Sequence, residues 1–407
     1  MPSVPPVLRH RDFNLYWLGV VLSQVGTRGA VAANLYQIYE LTGSTLQVGL
    51  VGAGQALALL VLSPLGGVYA DRLDRRRLLQ VTQSVSMVVA LGLAGLTAAG
   101  VARPWHVFLA VVLSTASATF DQPARQALIP AMVPRDQLPE AIALLNPSRE
   151  LAILIGPALA GLLIAVSGPA AVYAADAGTY ALLVVLLGLV RIPRLPRPEP
   201  RPILESLRDG ARYVARRKLI WQLMALDLSA TVFGAYRVIL PAFALDVLHV
   251  GPQGYGLLSS APSLGALLSA GVVFRLVRSR RSGVLLLLAT IGYGLSCVLF
   301  AQARVLWLAL AFALLLGLAD ALATTIRHSA VQLETPDELR GRVQGFYQMS
   351  SRGGPAIGDV NVGWLSSVLG AVGALTLGGL VSVVFAGALL LRGGAVRDYE
   401  AARRAEV

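Results

Sequence analysis

The chain has 407 residues, 56% of them hydrophobic and only 14% charged, with a formal net charge of +12 and a mean hydropathy of +0.67. A soluble domain carries about 25% charge, so the composition excludes one. Apolar stretches of about 20 residues, each enough for a hydrocarbon core about 30 Å thick, recur from end to end. They are continuous rather than alternating with period two, so of the two structures that satisfy their backbone in lipid, helices fit and a barrel does not.

The start, MPSVPPVLRHRDF, places basic residues ahead of an apolar run that is too long for a signal peptide and reads as a retained first helix. Hydropathy read against Gly, Pro and charge punctuation predicts twelve spans, at 14–40, 45–70, 77–100, 104–128, 139–167, 169–190, 219–247, 254–276, 282–302, 304–327, 343–368 and 371–392. The fold class is therefore all-α integral membrane, in two six-helix groups. The predicted division is an N-terminal bundle (1–190), a basic linker (191–218) and a C-terminal bundle with a short tail (219–407). The linker starts Pro/Arg-rich and extended, and its second half is expected to be a basic amphipathic helix on an anionic leaflet.

With this segmentation most of the 34 Lys and Arg fall in the two tails and after the second, fourth, sixth, eighth and tenth spans, while Arg103 and Arg304 lie on the opposite side. Basic loops stay in the cytoplasm, so both termini are expected there. The same rule accounts for the net charge. No separate basic domain with interleaved aromatics exists to bind nucleic acid. Cys297 is the only cysteine, which excludes an internal disulfide or a cysteine-held metal, and no metal or cofactor is expected.

Within the spans, charges stand where lipid makes them costly, about 2.5–3.5 kcal/mol each on insertion scales, and such residues line a pathway or pair across helices. Arg28 lies mid-way along the first span between Gly26 and Gly29. Arg237 holds nearly the matching place in the seventh, and Asp121 and Asp320 are similarly related in the fourth and tenth. Arg149, Glu150 and Arg352 are further intramembrane charges, as is Asp227 in the inner part of the seventh span, with Asp176, Asp359 and Asn361 weaker candidates. For proton coupling the acids at useful depth are Asp121, Glu150 and Asp320. Asp121 leads because Arg125 follows at i+4 as a possible partner. Trp17 and Tyr39 read as interface anchors, and Gly92, Gly95, Gly156, Gly161, Gly378 and Gly379 as close helix contacts.

The halves also repeat. ARQALIPAMVPRDQL (124–138) matches IRHSAVQLETPDEL (326–339), placing Arg125 opposite Arg327. Gly156-Pro157-Ala158 recurs as Gly354-Pro355-Ala356, and Val48-Gly49-Leu50 as Tyr255-Gly256-Leu257. Corresponding spans start on the same side, so the repeat is parallel, about an axis along the membrane normal. Two bundles around a midplane cavity are a transporter architecture.

GGVYADRLDRRR (66–77) interrupts the apolar sequence after the second span. Its residues Gly67, Asp71, Arg72, Arg75 and Arg76 resemble the G-x-x-x-D-R-x-G-R-R/K loop of the major facilitator superfamily, with Asp74 in place of the second glycine. RHRDFNLYWLG, YELTGSTLQVGL and FDQPARQALIPAMVPRDQLPEAIALLN extend the resemblance to the branch that holds siderophore and drug exporters. Gly156, Pro157 and Gly161 of GPALAG partly match its antiporter motif. The resemblance implies a cytoplasmic latch at the loop and a central cavity lined by the first, fourth, seventh and tenth helices. It also implies proton-coupled efflux of an amphipathic small molecule by alternating access, in a monomer of the cell inner membrane. A lipid-like substrate is the alternative. An ATP-driven pump is excluded because the single lysine, Lys218, precedes Leu rather than the Ser or Thr of a P-loop. The four scattered histidines offer an enzyme no paired site.

Overall fold

The computed structural model describes residues 5–72, 74–190, 212–276 and 281–400. The side chains of 60, 63–72, 123, 126–127, 272–276 and several between 337 and 352 lie outside the described set, as does 191–211, most of the expected linker.

The described residues form helices: α1 Arg11–Thr42, α2 Thr45–Arg72, α3 Arg75–Ala98, α4 Pro104–Met132, α5 Leu138–Ser167, α6 Pro169–Leu189, α7 Lys218–Phe233, α8 Gly251–Leu276, α9 Ser282–Gln302, α10 Leu306–Glu334 and α11 Asp337–Arg392. Proline begins or follows the start of α4, α5 and α6, where its missing N–H costs nothing. Inside α11 the chain turns at Gly370, whose φ of 72° suits a residue without Cβ. Among the described residues, seven helical segments are long and apolar enough to cross a membrane: Arg75–Ala98, Arg135–Ser167, Pro169–Leu189, Lys218–Val247, Ser282–Gln302, Leu306–Glu334 and Gly353–Arg392.

One predicted span is not a continuous helix. α7 stops at Phe233, and the chain passes through Gly234 into a 3-10 turn, Tyr236–Ile239, then a short π-helical stretch, Phe243–Val247. The break follows from packing rather than from proline. A Cβ at Gly378 of α11 would collide with the Phe233 carbonyl, so α11 lies against the end of α7 with no room between. The Tyr293 hydroxyl of α9 donates to Gly234 O at 2.8 Å and Asn361 Nδ2 of α11 donates to Val232 O at 3.0 Å, satisfying carbonyls near the break. Irregular backbone at membrane depth persists only where such partners or a water-filled cavity serve it.

Two compact units form. Unit 1 comprises Met1–Thr42, Gly54–Arg201 and Gly251–Ser260; unit 2 comprises Gly43–Ala53, Pro202–Val250 and Ala261–Val407. Unit 1 is cored by Phe13, Tyr16, Leu79, Leu128, Leu183 and Leu187, and unit 2 by Leu223, Leu226, Leu286, Ile326, Val343 and Tyr347. Valines and leucines remain on the outer faces, as at Val81, Val88, Val166 and Leu391. Lipid tails are as apolar as leucine, so burying such residues between helices adds little, and close backbone contact and polar pairs hold the bundle.

The glycine contacts divide accordingly. In unit 1 the start of α8 lies on α5, where a Cβ at Gly256 would stand 2.7 Å from Pro157 O and 2.8 Å from Gly161 Cα. In unit 2 the start of α2 lies on α11, where a Cβ at Gly49 would meet Asp359 O and stand 3.2 Å from Gly363 Cα. Thus the repeat-related glycines Gly49 and Gly256 make corresponding contacts, each on a helix carrying Gly-Pro-Ala. Gly378 and Gly379 are equally crowded, by Phe233 and Gly294. Gly92 and Gly95 are not contacts, since nothing lies within 4 Å of a Cβ at either. They sit on the face of α3 turned away from its neighbours. Tyr39 is likewise no anchor at an exposed edge but buried at 8% exposure, and Trp17 donates to Ser148 of α5 at 3.1 Å.

Candidate functional site

Each unit holds a buried acid–arginine network. In unit 1 Asp121 and Arg125 pair across one turn of α4, as their spacing predicts. α3 faces the acid: Gln83 Nε2 donates to Asp121 Oδ1 at 3.1 Å and the Thr82 hydroxyl lies 3.5 Å from the same oxygen. Ser23 of α1 donates to Gln83 Oε1 at 3.3 Å, and Tyr16 of α1 donates to Arg125 O at 3.3 Å. α3 and α4 thereby meet on one carboxylate, and α1 joins the network through Gln83 and the Arg125 carbonyl.

In unit 2 the arginine takes its partner from another helix. Arg327 Nη2 of α10 lies 2.6 Å from Asp227 Oδ1 of α7, with side-chain exposures of 4% and 3%. Its Nε donates to Tyr347 Oη of α11 at 3.0 Å, and Nη2 also donates to Thr324 at 3.1 Å. Asp227 Oδ2 is buried with no hydrogen-bond partner. Taking an ion pair out of water is offset only when good geometry and further hydrogen bonds accompany it, and Tyr347 and Thr324 supply those. Sequence reasoning placed Asp227 in the inner part of the seventh span and missed Arg327 as its partner. The repeat of Arg125 was the available signal.

Beyond the break in α7, Arg237 sits in the 3-10 turn, half exposed, with Nη2 3.5 Å from Asp359 Oδ2 of α11. Asp359 is buried against the start of α2: a Cβ at Gly52 would stand 2.8 Å from its Oδ2. Asp320 is exposed on α10 and interacts with Thr324, Arg327 and Asp227.

The other expected residues are less gathered. Arg28 is partly buried on α1, its Cβ in the path of any Cβ at Gly156, so α1 and α5 touch there. Pro157 and Gly161 are buried on α5, while Arg149 is exposed and Glu150 partly buried two turns nearer its start. The side chains of Gly67, Asp71, Arg72 and Arg352 lie outside the described residues. Of the loop motif, Arg76 Nη2 donates to Gly188 O of α6 at 2.6 Å, tying the α2–α3 turn to the end of α6. Asp74 accepts from the amides of Arg76 and Arg77 at 3.0 and 3.1 Å. The acid that replaces the motif's glycine is thus the N-cap of α3. Among the described residues no group of His, Cys, Asp and Glu is arranged to hold a metal.

The chain matches the transmembrane secretion effector family over residues 3–406. It is 30% identical to the enterobactin exporter of Citrobacter koseri over 399 residues, covering 96% of this chain and 94% of that one. With the enterobactin exporter of Shigella boydii it shares 31% over 391 residues, 94% and 91% of the two chains. Among solved structures, the nucleoside transporter NupG superposes with a TM-score of 0.75 at 15% identity, covering 96% of this chain and all of that one. A bacterial homologue of the lysosomal transporter Spinster gives 0.72 at 15%, covering 99% and 98%. The family and these relatives are transporters rather than enzymes, and the exporters place the chain as a multi-pass protein of the cell inner membrane. The chain belongs to the transmembrane secretion effector family of major facilitator superfamily transporters.

Proposed function

We propose that the protein is a proton-coupled exporter of a siderophore-like, oxygen-rich anionic small molecule, working as a monomer by alternating access. The observation that carries this reading is the pair of repeat-related arginines, Arg125 and Arg327, each buried on an aspartate at membrane depth. A network that costs this much desolvation is kept where charge is moved or exchanged. The full-length similarity to enterobactin exporters supports the substrate class.

In this reading Arg28 and Arg237 attract the anionic oxygens of the substrate, with Arg149 and Arg352 nearer the entrance. Asp121, Glu150 and Asp320 are the coupling acids. Asp121 is held by Arg125, so proton uptake there competes with an ion pair. The division at 1–190, 191–218 and 219–407, the twelve spans and the cytoplasmic termini belong to the same reading, with the loop Gly67, Asp71, Arg72, Arg75 and Arg76 as an inner latch. The test is uptake of enterobactin into inside-out proteoliposomes whose lumen is made acid. Uptake above that seen without a gradient, and abolished by a protonophore, is expected. Uptake indifferent to the gradient overturns proton coupling.

A further inference from the structure

The middle of α1 is wedged in unit 1 between α5 and α6, and a carboxyl group lies in the wedge. Asp176 of α6 is buried at 4% exposure. A Cβ at Gly26 of α1 would stand 2.7 Å from its Oδ1 and 3.2 Å from its Cα. Oδ1 therefore rests on bare α1 backbone, and it has no hydrogen-bond partner.

Thr179 donates to Asp176 O at 2.7 Å, and Thr179 and Tyr180 both reach the carboxyl group. Thr27 of α1 donates to Ser23 O at 2.8 Å and lies 2.8 Å from the Tyr180 hydroxyl, where either oxygen can be the donor. These hydroxyls leave Oδ1 without a partner.

The other ionisable groups around it are sparse. α1 brings Arg28, whose Cβ lies against Gly156 of α5. α5 has Arg149 and Glu150, roughly 9 Å or more along its axis from Gly156. α3 has no ionisable residue beyond Arg77. α4 brings the Asp121–Arg125 pair, which acts on Tyr180.

We propose that Asp176 binds a transported proton at the α1–α6 contact, holding it while α1 is packed on the carboxyl and releasing it when α1 draws away. This deepens the proton-coupled reading and rests on it. As a neutral acid the group fills the wedge; as a carboxylate it would put charge on a buried Oδ1 that has no partner, which buried sites avoid. Proton occupancy and α1 position are therefore linked, and α1 carries Arg28.

The test combines infrared spectroscopy of the reconstituted protein with enterobactin transport. The protonated-carboxyl carbonyl band at neutral pH should be lost in Asp176→Asn and kept in Asp121→Asn. Asp176→Asn should lose gradient-driven uptake but retain enterobactin exchange. A band that survives Asp176→Asn, or normal gradient-driven uptake in Asp176→Asn, would overturn the assignment with the exporter reading intact. A wild type indifferent to the gradient removes proton coupling itself, and the role of Asp176 with it.

Discussion

Arg327 of α10 and Asp227 of α7 meet at 2.6 Å with both side chains buried, although a hundred residues separate them in the chain. Losing one partner strands the other charge, which costs about 3–5 kcal/mol in a buried pair. Asp227→Ala should therefore lower thermal stability in detergent sharply. The double replacement Asp227→Leu with Arg327→Met should recover most of the loss, and a double variant no more stable than Asp227→Ala would show that the pair is not the source.

The glycine contacts predict opposite signs for one substitution type. Gly378→Ala places a methyl group on the Phe233 carbonyl and should destabilise by about 1–3 kcal/mol. Gly92→Ala meets nothing within 4 Å and should stabilise by about 0.5–1 kcal/mol through helix propensity. Unfolding curves of the two variants against wild type check both signs.

Asp74→Ala removes the cap from α3 and should cost about 1 kcal/mol. The loss should be local, appearing as faster hydrogen exchange of the Arg76 and Arg77 amides. Exchange unchanged at those amides would deny the cap.

The helices were legible because each is a long apolar run closed by Gly, Pro or charge. The Asp121–Arg125 pair was legible because i,i+4 neighbours share a helix face. The Asp227–Arg327 pair was not, since pattern within a helix says nothing of which distant helix it touches. The break after Phe233 was hidden for a similar reason: Gly234 is an ordinary glycine in sequence, and α11 crowding through Gly378 decides its role. Gly92 and Gly95 misled in the other direction, because a glycine marks a possible contact without naming a partner.

The expected topology is checked by cysteines in a Cys297→Ser background. Val101→Cys and His249→Cys should react with an impermeant thiol reagent added to intact cells, and Pro200→Cys should not. Labelling of Pro200→Cys would reverse the orientation.

Coupled exchange has a reciprocal signature. Inside-out proteoliposomes with equal pH on both sides, and a pH-sensitive dye in the lumen, are given enterobactin outside. Proton-coupled export predicts that the lumen turns alkaline as enterobactin enters, because each substrate carried in sends protons out, and that Asp176→Asn abolishes the signal. Enterobactin entering with no change in luminal pH would contradict the account.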